Sequence, residues 1–236
     1  MILLPLGWTQ VLNAPPLDVR AVGTLTHYSP DGISYPPVNF TVKCRGSKQY
    51  RLDIQTAKGM TTTIVNDIGG AFIATDGGVR TLSSSSAVSI RPPIFPFLLD
   101  ALNLNDTRTH VSDSGPLLPS GLRQQVRARL DLGPDVMSQL RGRASDTVLW
   151  LGADNRPMRI DFVRVAADNH YVTVPFSLLV SDYRVVNGIA IAFRQEEQLQ
   201  GRTVKVMTFQ TVQLGPSAAV SDSDFRVPSA APGGAQ

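Results

Sequence analysis

Between residues 38 and 45 the chain alternates without a break: Val38, Phe40, Val42 and Cys44 are apolar, and Asn39, Thr41, Lys43 and Arg45 are polar. Side chains of a strand point to opposite faces in turn, so this period of two predicts a strand with one buried and one wet face. Residues 50–56 repeat the pattern, with Tyr50, Leu52 and Ile54 set against Arg51, Asp53 and Gln55. Gly46-Ser47-Lys48 supplies the hairpin loop between them. The same reading predicts strands at 19–28, 60–66, 71–75, 125–132, 147–151, 158–165, 171–183, 189–196 and 203–214. Turn-forming residues separate them at Asp67-Ile68-Gly69-Gly70, Asp76-Gly77-Gly78, Asp154-Asn155-Arg156-Pro157, Asn187-Gly188 and Gln200-Gly201. About eleven strands with short connections predict a mainly β chain built on one large antiparallel sheet.

Such a sheet must curl or be covered, because strongly twisted open sheets rarely exceed about ten strands. Two segments predict helices placed to cover it. Residues 92–105 open with prolines that a first helical turn tolerates, and carry Ile94, Phe95, Phe97, Leu98, Leu99, Ala101, Leu102 and Leu104. A short helix that is apolar nearly all round is buried on more than one side. Residues 134–141 form the second, with Asp135 in the first turn and Gly142 just past the end. Loops are expected at 29–37, 83–89 and 113–121. The division expected is an N-terminal segment at 1–17 (a signal remnant or linker), one domain at 18–228 and a disordered tail at 229–236. Residues 1–17 hold no Lys or Arg, so they lack the positive region that opens a signal peptide. No apolar run approaches the roughly 20 residues of a transmembrane helix, and no such segment is expected.

Composition changes this picture little. With 42% hydrophobic and 17% charged residues the chain has material for a core. Its 22 basic and 19 acidic residues leave a net charge of +3, too scattered to point to nucleic acid. The single cysteine, Cys44, excludes an internal disulfide, and on the apolar side of its strand it reads as a small hydrophobe. His27, His110 and His170 stand far apart, and no HExxH, P-loop or GxSxG pattern occurs. Neither an enzyme nor a cofactor nor a metal is therefore expected.

The informative feature is apolar surplus. Residues 173–183 carry Val174, Phe176, Leu178 and Val180 on one face and Leu179 on the other. Residues 203–214 set Val204, Val206 and Val212 against Met207 and Phe209. Two-sided apolarity means that both faces are covered along part of their length. One reading is a filled core, giving a structural or protein-interaction module. The other is an apolar chamber on a curved face that receives a lipid chain. Its lining is expected to include Phe40, Leu52, Ile54, Phe72, Trp150, Phe176, Leu178, Phe193 and Phe209, with Phe95, Leu98 and Leu102 from the lid. Burial of about 25 cal/mol per Å² would hold such a chain without any polar motif.

Three stretches carry a family resemblance. Leu149-Trp150-Leu151-Gly152, followed by Arg156-Pro157-Met158-Arg159-Ile160, resembles a strand–turn–strand of the LolA/LolB-like lipoprotein-carrier superfamily, written there as "LWLD" and "LP-R-I". Ser181-Asp182-Tyr183-Arg184-Val185-Val186-Asn187-Gly188-Ile189 is similar to its "SDYR-V-DGI" hairpin, and Asp222-Ser223-Asp224-Phe225-Arg226-Val227-Pro228 to its closing "D-x-x-F-x-P". The resemblance implies an eleven-stranded unclosed half-barrel lidded by short helices. It also implies a non-catalytic periplasmic carrier whose hollow takes a lipid or the acyl chain of a lipoprotein, with an envelope protein as donor or acceptor. No counterpart of the arginine that holds the family's lid is assigned to Arg45 or Arg51.

Overall fold

A computed structural model of the chain describes residues 17–46, 48–66, 69–82, 87, 90, 109–112, 123–130, 147–152, 154, 156–165 and 172–228. The strands are β1 (Asp18–His27), β2 (Val38–Arg45), β3 (Gln49–Thr56), β4 (Gly59–Asn66), β5 (Gly69–Ile73), β6 (Val79–Thr81) and β7 (Thr109–Ser112). They continue with β8 (Arg123–Leu130), β9 (Thr147–Leu151), β10 (Pro157–Val165), β11 (Thr173–Val186), β12 (Ile189–Leu199) and β13 (Arg202–Leu214). All thirteen belong to one antiparallel sheet, in the order β6-β5-β4-β3-β2-β1-β13-β12-β11-β10-β9-β8-β7. Two meanders meet where β1 pairs with β13, leaving β6 and β7 as the edges. The open antiparallel sheet is thus the one the alternation predicts. The two strands it did not predict are the edges themselves, of three and four residues, too short to show a period. The predicted helices at 92–105 and 134–141 lie outside the described residues, as do 1–16, the tail from 229, the loop at 113–121 and most of 83–89.

Register follows the hydrophobic pattern. Val19, Ala21 and Leu25 of β1 stand opposite Cys44, Val42 and Val38 of β2, and opposite Leu214, Val212 and Met207 of β13. One departure concerns β13, where simple alternation sets Val212 and Phe209 on opposite faces. The register slips between Val22 and Gly23, so that Val22 faces Thr211 and Gly23 faces Phe209. Gln210 is the extra residue of a β-bulge, which returns Val212 and Leu214 to the face of Met207 and Phe209. The expected turns at Asn187-Gly188 and Gln200-Gly201 are two-residue hairpins with both residues at positive φ, 49° and 79° in the first and 51° and 77° in the second.

The sheet curls, and charge reveals the direction. Tyr50 on β3 and Arg164 on β10 are six strands apart, about 29 Å in a flat sheet at roughly 4.8 Å per strand. Burial pushes the Tyr50 phenol up, and the charges of Arg164, which lowers it, and Glu197, which raises it, also reach its hydroxyl. Such influence does not span 29 Å of protein and water. The face bearing Val42, Tyr50 and Leu178 is therefore concave, and a single hydrophobic cluster runs across it from β3 to β9.

The C-terminal segment straps part of the convex face. After β13 the chain makes two 3-10 turns, Gly215–Ala218 and Asp222–Phe225. The second is closed by a reciprocal cap between Ser221 and Asp224. Phe225 is buried, its carbonyl accepts from Asn66 Nδ2 at 3.0 Å, and the Arg45 guanidinium lies 5.8 Å from its ring centre. Lys43 pairs with Asp224, and Arg45 pairs with both Asp18 and Asp222. Burial pushes the Asp224 carboxyl up, but hydrogen bonds from Lys43 and the Ser221 backbone, with the Lys43 charge, outweigh it and leave it below its ordinary value. A lowered carboxyl stabilises the fold fully above its unfolded pKa of about 3.9, and the gain is lost as pH falls through the lower folded value. Asp224→Asn should therefore lower the urea midpoint at pH 7 by the equivalent of about 1 kcal/mol. The gap to wild type should close between pH 4 and pH 2; a gap that persists at pH 2 would contradict the assignment.

Candidate functional site

The concave face is lined by inward positions of several strands. Phe209 on β13 meets Phe40 on β2 edge-to-face, with ring centres 5.6 Å apart, and meets Phe193 on β12 at 6.5 Å. These three rings are buried and fill the middle of the face. Toward one side stand Leu52 and Ile54 on β3, half-buried against the cluster. Toward the other, Leu178 is buried and Phe176 is half-buried, stacked on Phe162 at 5.9 Å. Phe72 pairs opposite Thr63 on the face of Leu52, with the Arg80 guanidinium 5.6 Å from its ring centre.

Of the lining residues expected from sequence, Phe40, Leu52, Ile54, Phe72, Phe176, Leu178, Phe193 and Phe209 thus share one face. Trp150 does not. Its neighbours Leu149 and Leu151 turn inward and are buried, so strand geometry sends the indole to the convex side. There its Nε1 donates to Asp161 at 2.7 Å, and Arg159 and Ser177 donate to the same carboxylate. Phe95, Leu98 and Leu102 lie outside the described residues.

The sequence reading missed a polar cluster on this apolar face. Glu197 on β12 is 5% exposed and pairs directly with Lys205 on β13 and Leu178 on β11. Arg164 on β10 donates to it from both terminal nitrogens, Nη1 to Oε1 at 2.7 Å and Nη2 to Oε2 at 2.8 Å. Lys205 Nζ lies 2.6 Å from Oε2. The Arg164 guanidinium sits 4.6 Å from the centre of Phe176 and 5.4 Å from that of Phe162. Burial acts to raise the Glu197 carboxyl, but the charges of Lys205 and Arg164 prevail and hold it below its ordinary value. Lys205 is pulled the other way: burial and the Arg164 charge lower the ammonium pKa despite Glu197. Gln195, two residues along the same face, is 2% exposed, and its side-chain nitrogen and oxygen have no hydrogen-bond partner among the described residues.

Other candidate chemistry is bland. Cys44 is fully buried, and burial pushes its thiol up, away from the reactive thiolate. His27 ends β1 opposite Lys205, where burial and the Lys205 charge lower its pKa against Glu197. The described residues hold no group of three or more His, Cys, Asp and Glu able to bind a metal, and none of their helices is long and apolar enough to cross a membrane.

No protein-family model and no curated protein matches the chain. Solved structures do. A LolA superfamily protein from Nitrosomonas europaea superposes with a TM-score of 0.59 at 13% identity, covering 93% of this chain and 94% of that one. An outer membrane lipoprotein-sorting protein domain from Vibrio parahaemolyticus gives 0.58 at 11% identity, with 88% of each chain covered. A DUF1329 family protein from Desulfovibrio piger gives 0.58 at 14% identity over 93% of this chain and 92% of that one. The chain therefore has the fold of the LolA superfamily, as the three sequence stretches implied.

Proposed function

We propose that the chain is a non-catalytic carrier that binds a lipid or the acyl chain of a lipoprotein on its concave face, working in the periplasm between envelope partners. The supporting observation is the curled, unclosed sheet whose inner face is apolar from β3 to β9. The fold shared with a lipoprotein-sorting domain adds to it. On this reading Leu52, Ile54, Phe72 and Phe176, which keep part of their surface accessible, contact the guest, and the buried rings of Phe40, Phe193 and Phe209 form the floor beneath it.

The driving force is apolar burial, about 0.8 kcal/mol per methylene. Affinity for a homologous series of alkyl ligands should therefore rise roughly tenfold or more for each two methylenes, up to the length the face can cover. Displacement of the neutral probe N-phenyl-1-naphthylamine from the full chain measures this directly. Ile54→Asp, at a half-buried position, should reduce probe affinity at least tenfold while the far-ultraviolet spectrum stays that of the wild type. Probe that fails to bind, or affinity indifferent to chain length, would instead indicate a filled core and a protein-interaction module of the same fold.

A further inference from the structure

Inward positions of a largely apolar face carry Arg164, Gln195, Glu197 and Lys205, with His27 opposite Lys205 and the Arg184 guanidinium 4.4 Å from the ring centre of Phe193. Among the described residues two cations surround one carboxylate, which leaves one positive charge there without a partner. The wall also carries spare donors: a guanidinium has five N–H groups and an ammonium three, of which Glu197 takes two and one among the described residues. Both side chains remain reachable, with 34% of Arg164 and 26% of Lys205 accessible. Burial is nonetheless the largest influence on the ammonium.

Position matters as much as charge. Glu197 and Lys205 pair close to the Gln200-Gly201 turn, at one end of the concave face. From there the inward residues of β12 run through Gln195 to Phe193 and Ile191, polar first and then apolar. Arg164 lies against the rings of Phe162 and Phe176, so its charge adjoins greasy surface. Gln195, whose amide nitrogen and oxygen have no hydrogen-bond partner among the described residues, sits at the boundary.

We propose that the ligand of this face is an amphiphile with an anionic headgroup, a carboxylate or phosphate, and that Arg164 and Lys205, oriented by Glu197, bind the anion while the tail runs toward Phe193. This deepens the carrier reading and depends on it. Charge-assisted hydrogen bonds to an anion are shorter and stronger than neutral ones, and the partly desolvated setting strengthens them.

The test compares oleate, oleyl alcohol and inorganic phosphate as competitors of N-phenyl-1-naphthylamine on the full-length wild type. Oleate should bind at least about tenfold more tightly than the alcohol, and phosphate alone should not displace the probe. Lys205→Gln and Arg164→Gln each leave Glu197 paired with the remaining cation. Each should weaken oleate about tenfold and leave the alcohol unchanged, and either variant suffices if the other does not fold. Equal affinity for oleate and alcohol in the wild type would overturn the headgroup assignment and leave the carrier reading standing. So would discrimination that survives in both variants. Phosphate binding as tightly as oleate would show an anion site without a tail. Failure of both amphiphiles to bind would overturn the carrier reading and this inference together.

Discussion

Glu197→Ala is expected to lower stability by about 3–5 kcal/mol, because it leaves Arg164 and Lys205 facing each other in a desolvated wall with no anion between them. For a chain of this size that is a fall in Tm of roughly 6–20 °C. Adding oleate should restore part of the loss, since a bound anion takes the place of the missing carboxylate and binding to the folded state alone raises stability. Replacing all three charges together, with Arg164→Met, Glu197→Leu and Lys205→Met, should be far milder than Glu197→Ala alone. Ion clusters of this kind contribute little net stability over apolar substitutes of similar volume. A triple variant that is stable but no longer prefers oleate to oleyl alcohol would separate the two roles. A Glu197→Ala protein as stable as wild type would show that the cations are solvated and the wall is open to bulk water.

Gly23→Val should be comparably severe for a different reason. A Cβ at this position would lie 2.1 Å from the Thr208 carbonyl oxygen and 2.9 Å from Phe209 Cα, both backbone atoms of the bulged strand. A flexible side chain could swing aside, but two paired strands cannot separate without breaking the β1–β13 ladder that joins the meanders. A loss of about 3 kcal/mol or more is expected, the upper end of what overpacking costs. Gly188 gives the control. Its φ is +79° but a Cβ there meets nothing within 4 Å, so Gly188→Ala should cost only about 1 kcal/mol of backbone strain. Equal midpoints for the two variants in urea would mean that β1 and β13 do not approach as closely as the bulge requires.

Strands announce themselves when one face is uniformly apolar, which is why β2, β3 and the hairpins at Asn187-Gly188 and Gln200-Gly201 were legible in the sequence. The bulge at Gln210 was not, because a single inserted residue shifts the parity of all that follows, and alternation alone carried Val212 to the wrong face. Trp150 shows the opposite error. It belongs to the expected lining, whereas its place between Leu149 and Leu151 sends it outward, and the indole N–H finds Asp161 there. The polar cluster left a faint trace. Ile191, Phe193, Gln195 and Glu197 share one parity on β12, so two polar residues occupy positions where the pattern asks for apolar ones. A polar residue at a buried position is more informative than another apolar one. What the sequence could not contain was the partner set: Arg164, Lys205 and Glu197 come from three strands, and only the register brings their tips together.

The central claim is that the concave face holds a guest, and a crystal of the full chain grown with a C16 fatty acid brominated at its terminal carbon tests it most directly. The account predicts one bromine anomalous peak over the concave face within contact of Phe193 or Leu178, and carboxylate density beside Lys205 Nζ and Arg164. Bromine found only on the convex face, or density showing side chains closing the space above Phe40, Phe193 and Phe209 at saturating ligand, would contradict it.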